Sequence, residues 1–262
     1  MDATAARVER GQFLWHELLT KDKKAAIDFY KHVIGWDTQD YDFPEDDGPD
    51  YTMWLAGESP VGGVMEFDES TMSGMSTGWT GSVHTPDVDA AVRHAKELGG
   101  SVFAEPMDVP TVGRMAGLID PQGASIWIMS PAGDPMPEPP LARSFSWNEL
   151  VTTDSAAAFE FYRQLFSWDK QDEMDMGDGW MYLIYGRGNQ MYGGIYNSPP
   201  EKTAPPHWLY YVNVDDLDAA LERVKERGGK VQSGPMEVPG GDHVAECIDP
   251  EGITFALHES KK

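Results

Sequence analysis

Apolar positions along the chain change period repeatedly, and each change marks an element. Ala26, Phe29, Tyr30 and Val33 recur at helical spacing behind Asp22, a good N-cap residue, and Gly35 stands where a helix end favours a left-handed residue. The spacing predicts a helix there, with a strand before it. The runs Tyr51-Thr52-Met53-Trp54-Leu55 and Val61 to Met65 read as strands, and Gly62-Gly63 in the second suggests a bulge or a close approach of backbone. A second unit begins at Trp79. Asp87 caps a helix whose stripe is Val88, Ala91, Val92, Ala95 and Leu98, and Gly99-Gly100 stops it. Strands from Ser101 to Ala104, Met115 to Ile119 and Ser125 to Met129 follow, the last two flanking an Asp120-Pro121-Gln122-Gly123 turn.

The same order returns in the second half of the chain. Trp15-His16-Glu17-Leu18 is answered by Trp147-Asn148-Glu149-Leu150, Phe29-Tyr30 by Phe161-Tyr162 and Gly35-Trp36 by Ser167-Trp168, each 132 positions on, the step from Asp22 to Asp154. Later pairs, Asp87 with Asp216 and Asp120-Pro121 with Asp249-Pro250, lie 129 apart, so a short deletion separates two homologous halves. Strand, helix and three strands are therefore expected four times over. Pro131, Pro135, Pro137, Pro139 and Pro140 form an extended connector between the halves.

Composition narrows the functional classes. At 262 residues, 40% hydrophobic and 24% charged, the chain has the make-up of a folded globular protein. Its 44 acidic and 20 basic residues leave a net charge of −24 with no basic patch, so nucleic acid and anionic membrane surfaces are not expected partners. No apolar run approaches the ~20 residues that span a bilayer. A lone Cys247 rules out an internal disulfide, and no charged-then-apolar leader precedes Phe13, so the expected location is the cytoplasm.

Taken together, the capped helix with Phe-Tyr and Gly-Trp, the Val214 to Ala220 helix start and the Asp-Pro-x-Gly turn before a last strand resemble the vicinal oxygen chelate superfamily. That is the group of glyoxalases, bleomycin-resistance proteins and extradiol dioxygenases. The Trp-x-Glu-Leu opening and tandem layout are similar to an actinobacterial subgroup of antigen and antibiotic-cluster hydroxylase type. The resemblance implies an α+β fold of tandem glyoxalase-like domains, 11–130 and 143–260 with a linker over 131–142, each an incomplete barrel of two βαβββ modules around a cup. It also implies a monomer that mimics a homodimer, or a homodimer.

Enzymes of that family usually hold a divalent metal in the cup through His, Gln or Glu. Carried over residue by residue, the ligand positions fall on Trp15, Thr80 and Trp127 in the first half and Trp147, Leu209 and Ala256 in the second. Leucine and alanine have no donor atoms and an indole N–H only donates, so the family metal site is read as absent and no cofactor is expected. An offset set of Glu149, His207 and His258 keeps strand parity and would suit Fe(II) or Zn(II).

The cup then reads as a ligand pocket. Trp15 shares a strand face with Glu17, as Trp147 does with Glu149, and a carboxylate beside an indole could pair with a cationic or hydroxylated ligand, its desolvation making it a candidate general base. Glu17 and Glu149 are the candidate catalytic residues. Trp15, Trp127, Trp147, Arg114, His207 and His243 are candidate ligand-binding residues, Arg114 and His243 because they hold matching places before the Asp-Pro turns. His16, His84 and His94 are expected outside the pocket and solvated, Cys247 buried and inert, and the acidic run from Asp37 to Asp50 a solvated loop. The function expected is binding of a small metabolite without the family metal, with modest acid-base catalysis. The alternative is a metal-dependent lyase, isomerase or dioxygenase at the offset site.

Overall fold

In the computed structural model, which describes residues 9–43, 49–70, 72, 75–133, 142–177, 180–199 and 204–261, strand, helix and three strands do recur four times. The first module is β1 (Phe13–Thr20), α1 (Lys23–Ile34), β2 (Asp37–Tyr41), β3 (Tyr51–Ala56) and β4 (Ser59–Glu66). The second is β5 (Gly78–His84), α2 (Val88–Glu97), β6 (Ser101–Val109), β7 (Gly113–Ile119) and β8 (Ser125–Pro131). The third is β9 (Phe145–Thr152), α3 (Ser155–Phe166), β10 (Asp169–Asp175), β11 (Met181–Arg187) and β12 (Gln190–Asn197). The fourth is β13 (His207–Asn213), α4 (Leu217–Glu226), β14 (Lys230–Glu237), β15 (His243–Ile248) and β16 (Thr254–Glu259).

Each helix begins at an aspartate whose carboxylate accepts a backbone N–H three residues on, Ala25, Ala90, Ala157 and Ala219 in turn, at 2.8–3.0 Å. Gly35 ends α1 in the left-handed region at φ 82°. The equivalent Ser167 takes the same conformation at φ 60°, which a residue with a Cβ adopts only at some cost.

The strands form two open eight-stranded sheets, ordered β2-β3-β4-β1-β5-β8-β7-β6 and β10-β11-β12-β9-β13-β16-β15-β14. Within each module the first and last strands pair in parallel and the remaining pairs are antiparallel. The edge strands β2 and β10 are largely polar. Asp37–Tyr41, expected as the start of a solvated loop, is instead the edge strand β2, because backbone pairing with β3 does not require apolar side chains at an edge facing water. The rest of that run includes 44–48, outside the described residues, as are 134–141 of the expected connector.

Helix stripes decide where the cores lie. The chain divides into two compact units, one holding the first and fourth modules, the other the second and third. In the first of these, Ala26, Phe29, Tyr30 and Val33 of α1 share a buried cluster with Leu217, Ala220, Leu221 and Val224 of α4 and with Ala245, Cys247 and Phe255. Burial pushes the Cys247 thiol up to about 12, so it is an inert part of that core. His16 belongs there as well, stacked on Phe145 with ring centroids 3.8 Å apart, and is buried where solvation was expected.

The Phe-Tyr and Asp-Pro-x-Gly motifs meet inside these units. Tyr30 Oη donates to Asp249 Oδ2 at 3.2 Å, and Tyr162 Oη donates to Asp120 Oδ2 at 3.0 Å. The other oxygen of each aspartate accepts the turn's own N–H groups. Among the described residues no helix is long and apolar enough to cross a membrane.

The two tyrosines differ in one respect. Tyr30 Oη also accepts from Trp79 Nε1 at 3.0 Å, whereas the equivalent Trp208 Nε1 is buried without a partner among the described residues. Tyr30→Phe therefore strands two polar groups and Tyr162→Phe one. Urea unfolding is expected to show a loss of about 2–3 kcal/mol for Tyr30→Phe and about 1–2 kcal/mol for Tyr162→Phe. Equal losses would refute the difference assigned to Trp79.

Candidate functional site

Strand parity sends successive side chains of β1 to opposite faces. Leu18 and Thr20 face the helix side and are buried, while Trp15 and Glu17 share the other face. Glu17 sits beside Gly63 of β4 in the parallel register. A Cβ at Gly63 would lie 1.9 Å from Tyr51 Oη, so only glycine lets the Tyr51 side chain of β3 fold across the sheet to Glu17. There Tyr51 Oη donates to Glu17 Oε2 at 2.7 Å and accepts from Trp15 Nε1 at 2.7 Å. Tyr41 and Phe43 extend the aromatic wall, with Phe43 and Tyr51 ring centroids 5.9 Å apart.

Among the described residues, Glu17 Oε1 is buried and has no hydrogen-bond partner. Burial pushes the Glu17 carboxyl from an ordinary value of 4.5 up to about 8, while Tyr51 and Trp15 pull the other way. Burial first, and then the neighbouring Glu17 charge, pushes the Tyr51 phenol far above its usual range, so Tyr51 remains a donor.

The third module repeats the arrangement. Glu149 pairs in register with Gly194, where a Cβ would lie 2.1 Å from the Tyr182 ring, and Tyr182 Oη donates to Glu149 Oε2 at 2.6 Å. Tyr196 stacks on Tyr182 at 5.8 Å and meets Trp180 edge-on at 5.0 Å. Tyr51 with Tyr182 and Gly63 with Gly194 are 131 positions apart, a repeat spacing that could have exposed both pairs in the sequence.

Other expected residues are placed differently. Arg114 has the parity of Ala116 and Leu118, the buried helix-facing side of β7, and its guanidinium is held by Asp89 at 2.7 and 2.9 Å and Asp108 at 2.9 Å. In the structure it is an ion-pair residue. His243 likewise has the parity of Ala245 and Cys247, so β15 turns it from the face that Trp and Glu occupy, and it is exposed at the strand start. Trp127 keeps the expected face, opposite buried Ile126 and Ile128, and packs edge-on against Phe103 at 5.1 Å over Gly117. Trp147 packs against Leu209, Tyr211 and Ala256.

The offset metal set does not assemble. His207 Nδ1 contacts the Pro205 carbonyl at 2.9 Å, His258 lies between Ser146 Oγ at 2.9 Å and Asp242 Oδ2 at 3.0 Å, and Glu149 is bound by Tyr182. Among the described residues no group of three or more His, Cys, Asp or Glu side chains is arranged to hold a metal ion. The family positions do not fit one either, since Trp15 donates to Tyr51, Trp127 packs on Phe103, and Leu209 and Ala256 lie in an apolar cluster.

Against known proteins, residues 12–128 and 144–257 match the Glyoxalase/Bleomycin resistance protein/Dioxygenase superfamily. The chain is 29% identical over 246 residues to CFP32 of Mycobacterium tuberculosis, whose name carries the word glyoxylase, covering 93% of this chain and 92% of that one. It is 30% identical over 275 residues to the anthracycline biosynthesis protein DauV of Streptomyces sp. strain C5, covering 98% and 96%. In fold it is similar to the Mn(II)-bound glyoxalase of Novosphingobium aromaticivorans, with TM-score 0.68, 17% identity and coverage of 98% and 84%.

Two measurements check the site. Protein purified without a histidine tag should carry less than about one-tenth equivalent of Zn, Fe, Ni or Mn, and chelator should leave its unfolding unchanged, because a structural metal couples to folding. Stoichiometric metal would overturn the donor assignment. The second follows from the raised Glu17 pKa. Between 4.5 and about 8 the folded state holds a proton that the unfolded state has released, so the stability from this group falls as pH rises through that window. Glu17→Gln should therefore gain stability relative to the parent between about pH 5 and pH 8, and a constant difference would refute the burial of this carboxyl.

Proposed function

Because the chain belongs to the Glyoxalase/Bleomycin resistance protein/Dioxygenase superfamily, we propose that it binds a small organic metabolite on the Trp15–Glu17 face, and on the equivalent Glu149 face, without the family metal. The observation that carries this reading is Glu17 Oε1, a buried polar atom with no partner among the described residues, walled by Trp15 and Tyr51. An aromatic wall with one oriented polar group is the usual make-up of a small-molecule pocket. Glu17 and Glu149 are the polar anchors and the groups available for proton transfer. Trp15, Trp127 and Trp147 supply apolar contact. The names of the relatives, a glyoxylase and an anthracycline biosynthesis protein, are in keeping with a small-molecule role. The lone Cys247 thiol fits action in the cytoplasm.

The residues derive a limited chemistry. A carboxyl with a pKa near 8 is mostly protonated at neutral pH and close enough to that pH to give or take a proton. Tyr51 fixes its orientation and Gly63 leaves the room.

A metabolite library screened by thermal shift is expected to yield ligands whose affinity falls by roughly 1.5–3 kcal/mol in Glu17→Ala or Glu149→Ala, the worth of a hydrogen bond to a charged or desolvated group. Tyr51→Phe should weaken the same ligands less, since it disturbs the anchor without removing it. Ligands indifferent to all three variants would sink the proposal.

A further inference from the structure

We propose that Glu17 meets its ligand as a neutral carboxylic acid donating from Oε1, and that this face selects a planar aromatic molecule bearing an uncharged hydrogen-bond acceptor, such as an aromatic ketone. The inference rests on the ligand-binding reading of the Glu17 face and names the class of molecule it takes.

Proton bookkeeping along the relay decides the matter. An indole N–H donates and never accepts, so Tyr51 Oη is the acceptor in its 2.7 Å contact with Trp15 Nε1. The single Tyr51 proton is then directed to Glu17 Oε2 at 2.7 Å. With Oε2 accepting, the proton of the acid form lies on Oε1, the buried atom that has no hydrogen-bond partner among the described residues. A buried O–H left unpaired costs its desolvation, and a ligand oxygen that reaches it recovers that cost. The ionised alternative is worse, because Trp15, Tyr51 and Gly63 around the carboxyl bring no cation to pair with it. Burial raises the carboxyl pKa in keeping with this.

The body of the ligand follows from the walls. Trp15 is partly exposed beside the carboxyl and offers an indole face, and the Tyr51, Phe43 and Tyr41 rings, set edge to face at 78–80°, continue from it as an apolar wall against which an aromatic ring packs. The net charge of −24 works against an anionic acceptor and leaves a neutral carbonyl favoured. From β3 the titratable neighbour of Glu17 is Tyr51, whose phenol stays protonated; β4 presents Gly63, and on β1 Trp15 does not titrate.

Three probes of similar size separate the possibilities in NMR titrations: 1-indanone, which has the acceptor; indane, which lacks it; and N-methylquinolinium, a flat cation. At about pH 6, 1-indanone is expected to bind about tenfold tighter than indane, and the advantage should vanish by about pH 9.5 as the acid ionises. Glu17→Gln should keep the advantage at both pH values, since its amide accepts from Tyr51 and still donates from the Oε1 position. Glu17→Ala should lose it at both. An advantage that persists in Glu17→Ala, that does not change with pH in the parent, or that gives way to preferred binding of N-methylquinolinium at the lower pH overturns the inference. If 1-indanone and indane bind equally and both weaken in Glu17→Ala, the donor assignment fails while the ligand-binding reading stands.

Discussion

A buried tyrosine hydroxyl held by a turn aspartate is the interaction on which the arrangement of modules depends. Tyr30 comes from α1 of the first module and Asp249 from the turn before β16 of the fourth, and Tyr162 and Asp120 join the third module to the second in the same way. Neither group could be buried alone, since an unpaired carboxyl or phenol in a core costs more than most apolar contacts return. Burial raises both aspartates above the usual carboxylate range even with the tyrosine and backbone bonds in place. The bond is therefore specific as well as stabilising: a helix stripe can slide against another apolar surface, but a tyrosine oxygen must find its aspartate. Aromatic rings fix the position further. Tyr30 meets Trp36, Trp54 and Trp79, while Tyr162 meets Trp168 and Trp208, at centroid distances of 5.4–6.3 Å.

Duplication preserved this framework and relaxed details around it. In the unit of first and fourth modules, Thr20 Oγ1 donates to Glu251 at 2.6 Å and the same carboxylate takes the Lys21 N–H. Thr152 occupies the place of Thr20 and Gln122 that of Glu251, yet Thr152 Oγ1 and Gln122 Oε1 are both buried without partners among the described residues. Trp79 and Trp208 differ in the same sense. The carboxyl site was kept in both copies by a four-part requirement: a tryptophan, a glutamate two residues on, a tyrosine from the third strand, and a glycine that leaves room for it. Where the resemblance implies metal donors, this chain places tryptophan, threonine, leucine and alanine side chains.

Much of this was legible along the chain. The four helices, their aspartate caps, the strand order and the two-fold repeat follow from local rules of capping, periodicity and turns, which act over a few residues and leave their mark in those residues. The pairing of Trp15 and Glu17 on one face followed from the period of a strand. What local rules could not reach were partners brought in from elsewhere. Tyr51 is 34 positions from Glu17, and its reach depends on a missing Cβ at Gly63 in a third strand. Gly62-Gly63 signalled a close approach without saying of what. Arg114 and His243 had the right residue type, and the parity of their strands turns them to the side where the helices pack. His258 had the parity and was claimed by Asp242 and Ser146.

The sequence by itself determined the elements, their fourfold order and the faces of the first strands, because each depends on neighbours within a turn of helix or a few residues of strand. Tertiary structure alone decided which module shares a core with which, and whether a polar side chain is left to act or is already bound. Those outcomes depend on burial and on hydrogen-bond partners that converge only when distant strands lie side by side, which is why Glu17 retains an unpaired oxygen and Arg114 does not retain a free guanidinium.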